Sequence, residues 1–358
     1  MSSPSVRTLV LVDGEHYPPV VRTALLELRA AGCDIIGVAL LGGGEKLRTD
    51  EVPDYGIGDP DDLVTATDPL AAMLTALDRF APDEVLDLSD EPIVDARRRM
   101  LLAAHALRRG VRYRGADFSF EPPARPRLAA KPSIAVIGTG KRAGKTAVAA
   151  AVARVLAAAG RAPAIVAMGR GGPAEPEIID PARVDLSPAA LLARADAGHH
   201  AASDHLADAL AAGVVTIGTR RCGGGLAGAP ASSTFAAGVD LANGRREPLV
   251  VLEGSGAAIP PVHADATVCV IPATADVELA TGYLGPYALL LSDAVVVTLS
   301  EIPPPDSSRA AQRSLAGLED RIRGITPEIP VLFTVLRPWP SPRSRSGPSS
   351  LPRPPPSR

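Results

Sequence analysis

The sequence has few cysteines, few aromatic residues and little net charge, and each shortage excludes a class of protein. Three cysteines, Cys33, Cys222 and Cys269, are odd in number and widely separated, which favours reduced thiols over a disulfide framework. They also lack metal-ligand spacing. Aromatic residues make up only 3% of the chain but apolar residues 46%, so burial is not limiting. With a net charge of −3, no global basic field indicates nucleic acid, and any anion site must be local.

Long hydrophobic runs are missing as well. The nearest candidate for a membrane span, Tyr283–Leu299, is interrupted by Pro286, Ser292 and Asp293, whereas a spanning helix needs about 18 predominantly apolar residues. Arg7 is the only early cation and directly precedes a predicted strand, so we expect no signal peptide. These patterns predict a cytoplasmic, two-domain enzyme with no membrane partner and no nucleic-acid partner.

A glycine-rich loop lies between the apolar run Ser133–Ile137 and the Ala-rich run Ala147–Ala159. A strand, a glycine-rich turn and a helix in that order direct backbone N–H groups and the positive end of a helix dipole at one point, which suits a polyphosphate. We expect Lys145 to reach the β- and γ-phosphates of ATP and the Thr146 hydroxyl to ligate Mg²⁺. The alternative is a turn that binds nothing. The predicted nucleotide-binding residues are Gly138, Thr139, Gly140, Arg142, Ala143, Gly144, Lys145 and Thr146.

The loop departs from the standard P-loop spacing, because the residue five positions before Gly144 is Thr139 and the leading glycine is Gly138. It resembles instead the loop of the dethiobiotin-synthetase-like P-loop enzymes, which read Gly-Thr, four variable residues, then Gly-Lys-Thr. In that variant a second lysine helps to hold the phosphates, and Lys141 is available for this role. Lys141 and Lys145 are therefore the predicted catalytic residues.

A second motif, Leu249–Gly256, has the pattern of a short buried strand that ends in an acid and a flexible turn. In P-loop folds the neighbouring parallel strand ends beside the nucleotide, where a carboxylate holds Mg²⁺ directly or through water. Glu253 is thus the predicted metal ligand together with Thr146. The alternative is a carboxylate that only caps the next turn.

Six unusual segments occur in one order, and together they resemble the cyclic 2,3-diphosphoglycerate synthetase family. They are Asp13–Pro19, Leu41–Lys46, Met168–Gly172, His200–Asp204, Thr219–Gly228 and Glu253–Val262. The likeness runs from about Leu9 to Arg337. The resemblance implies ATP-dependent closure of 2,3-bisphosphoglycerate into a cyclic diphosphoanhydride, with release of ADP and phosphate. It also implies a C-terminal truncation, because family members continue with a further globular portion where this chain has a Pro/Arg/Ser tail.

The periodicity predicts an α/β protein with two sheet domains. Residues 1–117 alternate strands and helices as in a Rossmann-like parallel sheet. Residues 118–131 are proline-rich and are predicted to be a linker, and residues 132–335 to form a P-loop ATP-binding domain with a mostly parallel sheet. The tail, 336–358, has five arginines and no acid, which predicts disorder. We interpret it as the product of a shifted reading frame; a proline-rich ligand and a basic arm are the alternatives.

Basic residues follow several predicted strands. Arg170 lies among glycines, and Arg220 and Arg221 precede three more. Guanidinium groups beside glycine-rich backbone suit bidentate recognition of phosphate or carboxylate. His16 and Lys46 belong to loops at the carboxyl edge of the first sheet, where ligands bind. These five residues are the predicted contacts of a small phosphorylated acid; the alternative for each is a solvated surface charge.

Three histidines, His199, His200 and His205, flank Ser203 and Asp204. They suit phosphate binding or proton transfer, while Ser203 is favoured as a helix N-cap, so the roles of the histidines stay open. Two other functions also stay open. One is a P-loop ligase that activates a carboxylate or carbamate, and the other is a non-enzymatic switch in which ATP shifts a dimer between states. We expect a homodimer in each case.

Overall fold

The computed structural model describes residues 5–43, 53–66, 68–200, 203–301, 309–335 and 337, with the backbone alone at 309–314. Lys46 and nearly all of the tail therefore lie outside the described residues, and so does the prediction that the tail is disordered. No helix in the described part of the chain is long and apolar enough to cross a membrane.

The first domain is a sheet of six described strands with helices packed on it. Its strands are β1 Arg7–Val12, β2 Asp34–Leu40, β3 Leu63–Thr65, β4 Glu84–Asp87, β5 Arg112–Arg114 and β6 Ser119–Phe120, and its helices are α1 Pro18–Ala30, α2 Pro69–Phe80 and α3 Ala96–Arg108. The strand order is β3-β2-β1-β4-β5-β6, and the described pairings are parallel except for β5 with β6. Asp68 and Asp95 accept backbone N–H bonds as the N-caps of α2 and α3.

Strand β6 lies inside the segment 118–131 that was predicted to be a linker. Phe118 packs against Tyr113 and Phe120, with ring centroids 6.0 and 5.6 Å apart. The first sheet therefore continues to Phe120, past the predicted start of the linker. A two-residue strand is too short to leave a periodic signal in the sequence, whereas the prolines that follow it do.

The second domain is a larger sheet, nine-stranded within the described residues. Its strands are β7 Ser133–Gly138, β8 Ala164–Gly169, β9 Glu177–Ile179, β10 Thr216–Cys222, β11 Ser232–Ser233, β12 Val250–Glu253, β13 Ala266–Pro272, β14 Ala294–Thr298 and β15 Val331–Phe333, and its helices are α4 Lys145–Ala158, α5 Pro188–Asp196, α6 Asp204–Ala212, α7 Phe235–Asn243, α8 Val277–Thr281, α9 Gly285–Leu290 and α10 Arg309–Ile325. The order is β11-β10-β8-β12-β7-β13-β14-β15, with β9 added on β10. Among the described strands of this second sheet, only β9 and β11 pair antiparallel, each with β10. The predicted α/β architecture with a mostly parallel second sheet is confirmed.

Strand β7 lies in the middle of this sheet and is buried on both faces. Val136 packs with the alanines of α4 on one face, and Ala135 and Ile137 belong to the cluster on the other face that includes Phe235. Since parallel strands point their carboxyl ends the same way, the ends of β7, β8, β12 and β14 meet at one edge. Burial of both faces explains the continuous apolar runs that identified these strands.

The two domains pack through α3 and α9. The Arg108 Nε atom donates to the Leu290 carbonyl at 2.7 Å. Glu278 of the second domain pairs with Arg97 of the first and, at 3.1 Å, with Arg321 of its own domain. Helical packing and one shared carboxylate thus connect the two sheets.

Candidate functional site

The loop between β7 and α4 has the backbone of a phosphate cradle. Arg142 and Gly144 both have positive φ, 62° and 89°, and Gly144 is the N-cap, so no side chain satisfies the first N–H groups of α4. A Cβ added to Gly138 would lie 2.8 Å from the Val270 carbonyl oxygen. The leading glycine is therefore required because β13 runs close beside it.

Lys145 lies at the start of α4, and its side chain is 7% exposed. Its Nζ atom donates to the carbonyls of Gly140 and Gly256, each at 2.8 Å. Burial lowers the pKa of Lys145, and the charge of Glu253 opposes that change. The ammonium group thus connects the loop to the turn that follows β12.

Glu253 ends β12, pairs in register with Val136 of β7 and is 2% exposed. The Thr146 hydroxyl donates to its Oε1 atom at 2.9 Å. Asp208 of α6 is fully buried next to it. The two carboxyl groups are buried against each other and hydrogen-bond one another, so one of them carries a proton; among the described residues no other group donates to Oε2 of Glu253 or to Asp208. Burial raises the pKa of both acids, and the charge of Glu253 raises that of Asp208 further.

A cavity of about 830 Å³ opens over the loop. Its wall contains the loop residues Lys141–Ala147, the turn Glu253–Gly256, Arg170, His200 and Asp204. The volume is within the range of about 300–1,000 Å³ that is usual for ligand pockets. The carboxyl edge of the sheet therefore brings cationic groups, backbone N–H groups and a buried acid pair to one place.

Arg170 and Arg221 lie against the same turn but have different surroundings. A Cβ built on Gly256 would be 2.9 Å from Nη2 of Arg170 and 3.3 Å from Nη2 of Arg221. Arg170 is exposed and lines the cavity. Arg221 is buried and donates to the carbonyls of Gly223 and, at 2.7 Å, Ser255. Burial and the nearby charge of Arg170 lower the pKa of Arg221. Arg221 therefore holds the turn, and Arg170 is exposed at the cavity.

Two other predicted substrate contacts are not brought to this cavity. Successive residues of a strand point to opposite faces, so Arg220 projects away from the side taken by Arg221. Arg220 is absent from the lining residues that the structure describes. His16 is half-exposed at the end of β1, and its Nδ1 atom lies 2.8 Å from Oδ1 of the buried Asp13. It belongs to the edge of the first sheet, and Lys46 lies outside the described residues.

Two residues of the site are not found by the sequence reasoning. Thr298, at the end of β14, donates to the Ala143 carbonyl at 2.7 Å and fixes the loop from the far side. The sequence of this buried strand, which is rich in β-branched residues, does not indicate that its last threonine bonds the loop. Asp208 does leave a signal in the sequence. It is an acid between Leu206 and Leu210 in an otherwise apolar helix, and an acid on a buried helix face usually has a partner or a function.

The three histidines near Ser203 differ in burial. His205 is buried, with Nδ1 2.8 Å from the Ser203 hydroxyl and Nε2 3.3 Å from Oε2 of Glu177, and burial lowers its pKa. Ser203 occupies the N-cap position of α6, but its hydroxyl pairs with His205 rather than with a helix N–H. His199 and His200 are exposed, and His200 lines the cavity.

Comparison with known proteins decides the family. The family model described as "Cyclic 2,3-diphosphoglycerate synthetase, P-loop domain" matches residues 133–335, and the model described as "Cyclic 2,3-diphosphoglycerate synthetase, N-terminal domain" matches residues 7–121. The chain belongs to the cyclic 2,3-diphosphoglycerate synthetase family. The resemblance drawn from six sequence segments is confirmed.

Curated relatives agree with this assignment over most of the chain. The cyclic 2,3-diphosphoglycerate synthetase of Rubrobacter xylanophilus is 47% identical over 336 residues, which cover 94% of this chain and 74% of that protein. The Thermococcus gammatolerans protein of the same name is 45% identical over 333 residues, 93% of this chain and 73% of the relative. The Methanothermus fervidus synthetase is 39% identical over 341 residues, with 93% and 73% covered. Family membership makes this a nucleotide-binding P-loop synthetase and supports neither the dethiobiotin-synthetase-like ligase nor the switch.

Proposed function

We propose that this synthetase closes 2,3-bisphosphoglycerate into cyclic 2,3-diphosphoglycerate at the expense of ATP, with release of ADP and phosphate. The observation that carries the proposal is the cavity over the P-loop. On one side of it are the loop and Lys145, and on the other are Arg170 and His200. The cavity suits small acids of high negative charge, and family membership indicates 2,3-bisphosphoglycerate among them.

The reaction requires two transfers between phosphate oxygens. In the first, an oxygen of one substrate phosphate attacks the γ-phosphorus of ATP, and the bond to the ADP oxygen breaks. In the second, an oxygen of the other substrate phosphate attacks the activated substrate phosphorus and expels inorganic phosphate, which closes the ring. No covalent protein intermediate is needed, so the protein acts by positioning and by neutralising charge.

The named side chains divide these tasks. Lys145 and the exposed Lys141 neutralise the β- and γ-phosphates at the start of α4, where the helix dipole adds to their effect. Arg170 is placed to hold the attacking phosphate, because it is exposed toward the cavity beside the Gly256 turn. Arg221 keeps that turn in place from behind. His16, Lys46 and Arg220 stay predicted substrate contacts.

The acid pair suits Mg²⁺. Magnesium prefers oxygen ligands and keeps several waters or substrate phosphates in its shell. The Thr146 hydroxyl and Glu253 would hold it, with Asp208 behind them, and the close approach of two buried carboxyl groups, which a cation would stabilise in their ionised form, supports this fit. In the described part of the chain no group of three or more His, Cys, Asp or Glu side chains forms a metal cluster. When bound, the ion would neutralise charge that develops on the transferred phosphoryl group. The homodimer and the cytoplasmic location stay predictions.

The test is phosphate release from ATP with a panel of phosphorylated three-carbon acids, followed by phosphorus NMR of the product. We expect release to depend on 2,3-bisphosphoglycerate and the product to show a cyclic diphosphoanhydride. The 2- and 3-monophosphates, which cannot close the ring, serve as matched controls. A protein that binds ATP and Mg²⁺ but releases no phosphate above the acid-free rate with the bisphosphate would contradict the proposal.

A further inference from the structure

A second polar cavity of about 480 Å³ lies beside the cavity over the P-loop. The two share Gly171 and His200. The residues that carry chemistry in the second cavity are Glu177, Arg194, His199, His200 and His205. A ligand that crosses Gly171 would therefore touch both cavities at once.

The second cavity offers hydrogen-bond donors and no unpaired acid among its described lining residues. Glu177 is the one acid among its described lining residues, and its Oε2 atom is engaged by Nη2 of Arg194 at 2.6 Å and by Nε2 of His205 at 3.3 Å. The Nε atom of Arg194 is buried and has no hydrogen-bond partner among the described residues. The acid is thus paired, and Arg194, His199 and His200 line the cavity as donors.

The backbone at the junction of the two cavities is closely covered by its neighbours. A Cβ on Gly172 would lie 2.0 Å from the Thr219 carbonyl oxygen, and a Cβ on Gly171 would lie 2.6 Å from Nε2 of His200. A side chain on Gly172 would clash with backbone, and one on Gly171 would displace the His200 ring, which lies directly over Gly171 at the boundary. From there the imidazole can donate a hydrogen bond to an anion in either cavity.

We propose that the second cavity binds one phosphate of the bisphosphorylated substrate while its other phosphate lies in the P-loop cavity facing ATP. This inference rests on the proposed function and assigns the substrate site within it. Arg194, His199 and His200 hold the second phosphate apart from the nucleotide. Only one of two chemically similar phosphates is then presented to the γ-phosphoryl group, and the other is kept for ring closure. A cavity of this size accepts a three-carbon acid and is smaller than the one assigned to ATP.

The experiment measures KM for 2,3-bisphosphoglycerate and for ATP in three variants. His199→Gln removes an exposed donor, and Arg194→Gln is combined with Glu177→Gln so that no acid is left unpaired. The control is Arg183→Gln, whose side chain is 83% exposed and pairs with Asp180 outside the cavity. We expect KM for the bisphosphate to rise at least tenfold in the first two variants, KM for ATP to change less than threefold, and the control to match the parent.

Two outcomes would overturn the assignment. One is an unchanged KM for the bisphosphate in folded His199→Gln protein and in the folded double variant. The other is an equal rise of both KM values, which would mean a general distortion. Thermal melting checks folding, and if the double variant is unfolded, His199→Gln decides alone because its side chain is exposed. Parent protein that shows no bisphosphate-dependent phosphate release refutes the proposed function instead, so the two failures are distinguishable.

Discussion

Replacement of Lys145 by Met tests whether the P-loop is the energetic centre of function. The substitution keeps the length of the side chain and removes its charge and its hydrogen bonds to Gly140 and Gly256. Loss of one preorganised donor at a reacting oxyanion typically costs about a hundredfold or more in turnover, or about 2.7 kcal/mol. We therefore expect ATP turnover to fall by at least about a hundredfold.

The effect on stability should be much smaller than the effect on turnover. The pKa of Lys145 is lowered because burial disfavours its charge more than its neighbours favour it. Removing that charge therefore offsets part of the two lost hydrogen bonds, each worth about 1.5–3 kcal/mol for a charged donor. The net change in the free energy of unfolding should be within about 2 kcal/mol, measured by urea denaturation.

Lys131 provides a matched control. Its Nζ atom also donates to two backbone carbonyls, those of Ala242 and Arg245, but it lies before β7 and outside the cavity. Lys131→Met should lower stability without changing ATP turnover in a coupled ADP-release assay. Lys145→Met protein that turns over ATP within threefold of the parent rate, while remaining folded, would refute the assignment of the nucleotide site.

Three further predictions concern other contacts. Thr298→Val removes the hydrogen bond to the Ala143 carbonyl, and KM for ATP should rise about tenfold, as expected for about 1–2 kcal/mol; an unchanged KM in a steady-state assay would show that β14 does not fix the loop. Arg221→Lys loses the fork that bonds Ser255, so the melting temperature should fall by several degrees, and unchanged melting would contradict its structural role. Burial lowers the pKa of His105 from 6.5 to about 4, so the unfolded state binds the extra proton and stability is lost as pH falls from about 6.5 to 4, by about 3 kcal/mol at most. His105→Gln should lose less stability than the parent across that window in urea titrations, and equal losses would remove His105 as a cause.

The sequence predicts the parts of the molecule that depend on local pattern. The strand before the P-loop and the acid at the end of β12 were identified because buried parallel strands are continuous apolar runs, and ligands gather at their carboxyl ends. Helix α6 begins directly after Ser203, the residue favoured from the sequence as a helix N-cap.

The rest depends on which side chains meet across the fold. The pair Arg220-Arg221 is symmetrical in sequence, and only strand alternation together with the position of the Ser255 turn separates a buried structural arginine from an exposed one. Asp208 joins Glu253 because α6 packs beside α4, a tertiary contact that no local pattern reports. The short strands β3, β6, β9 and β11 were missed because two or three residues carry too little periodicity.

The carboxylate shared by the two domains has a consequence for the response to salt. Arg97 is 55% exposed and Glu278 41% exposed, and Arg321 is 35% exposed. Ion pairs this open to water contribute about 0–1 kcal/mol to stability. Dissolved salt weakens them, with a screening length of about 8–10 Å near physiological ionic strength. The packing of α3 on α9 carries no such dependence. The relative position of the two sheets should therefore be insensitive to ionic strength. This suits an enzyme with polyanionic substrates and products, because such ions bring counterions that raise the local salt concentration.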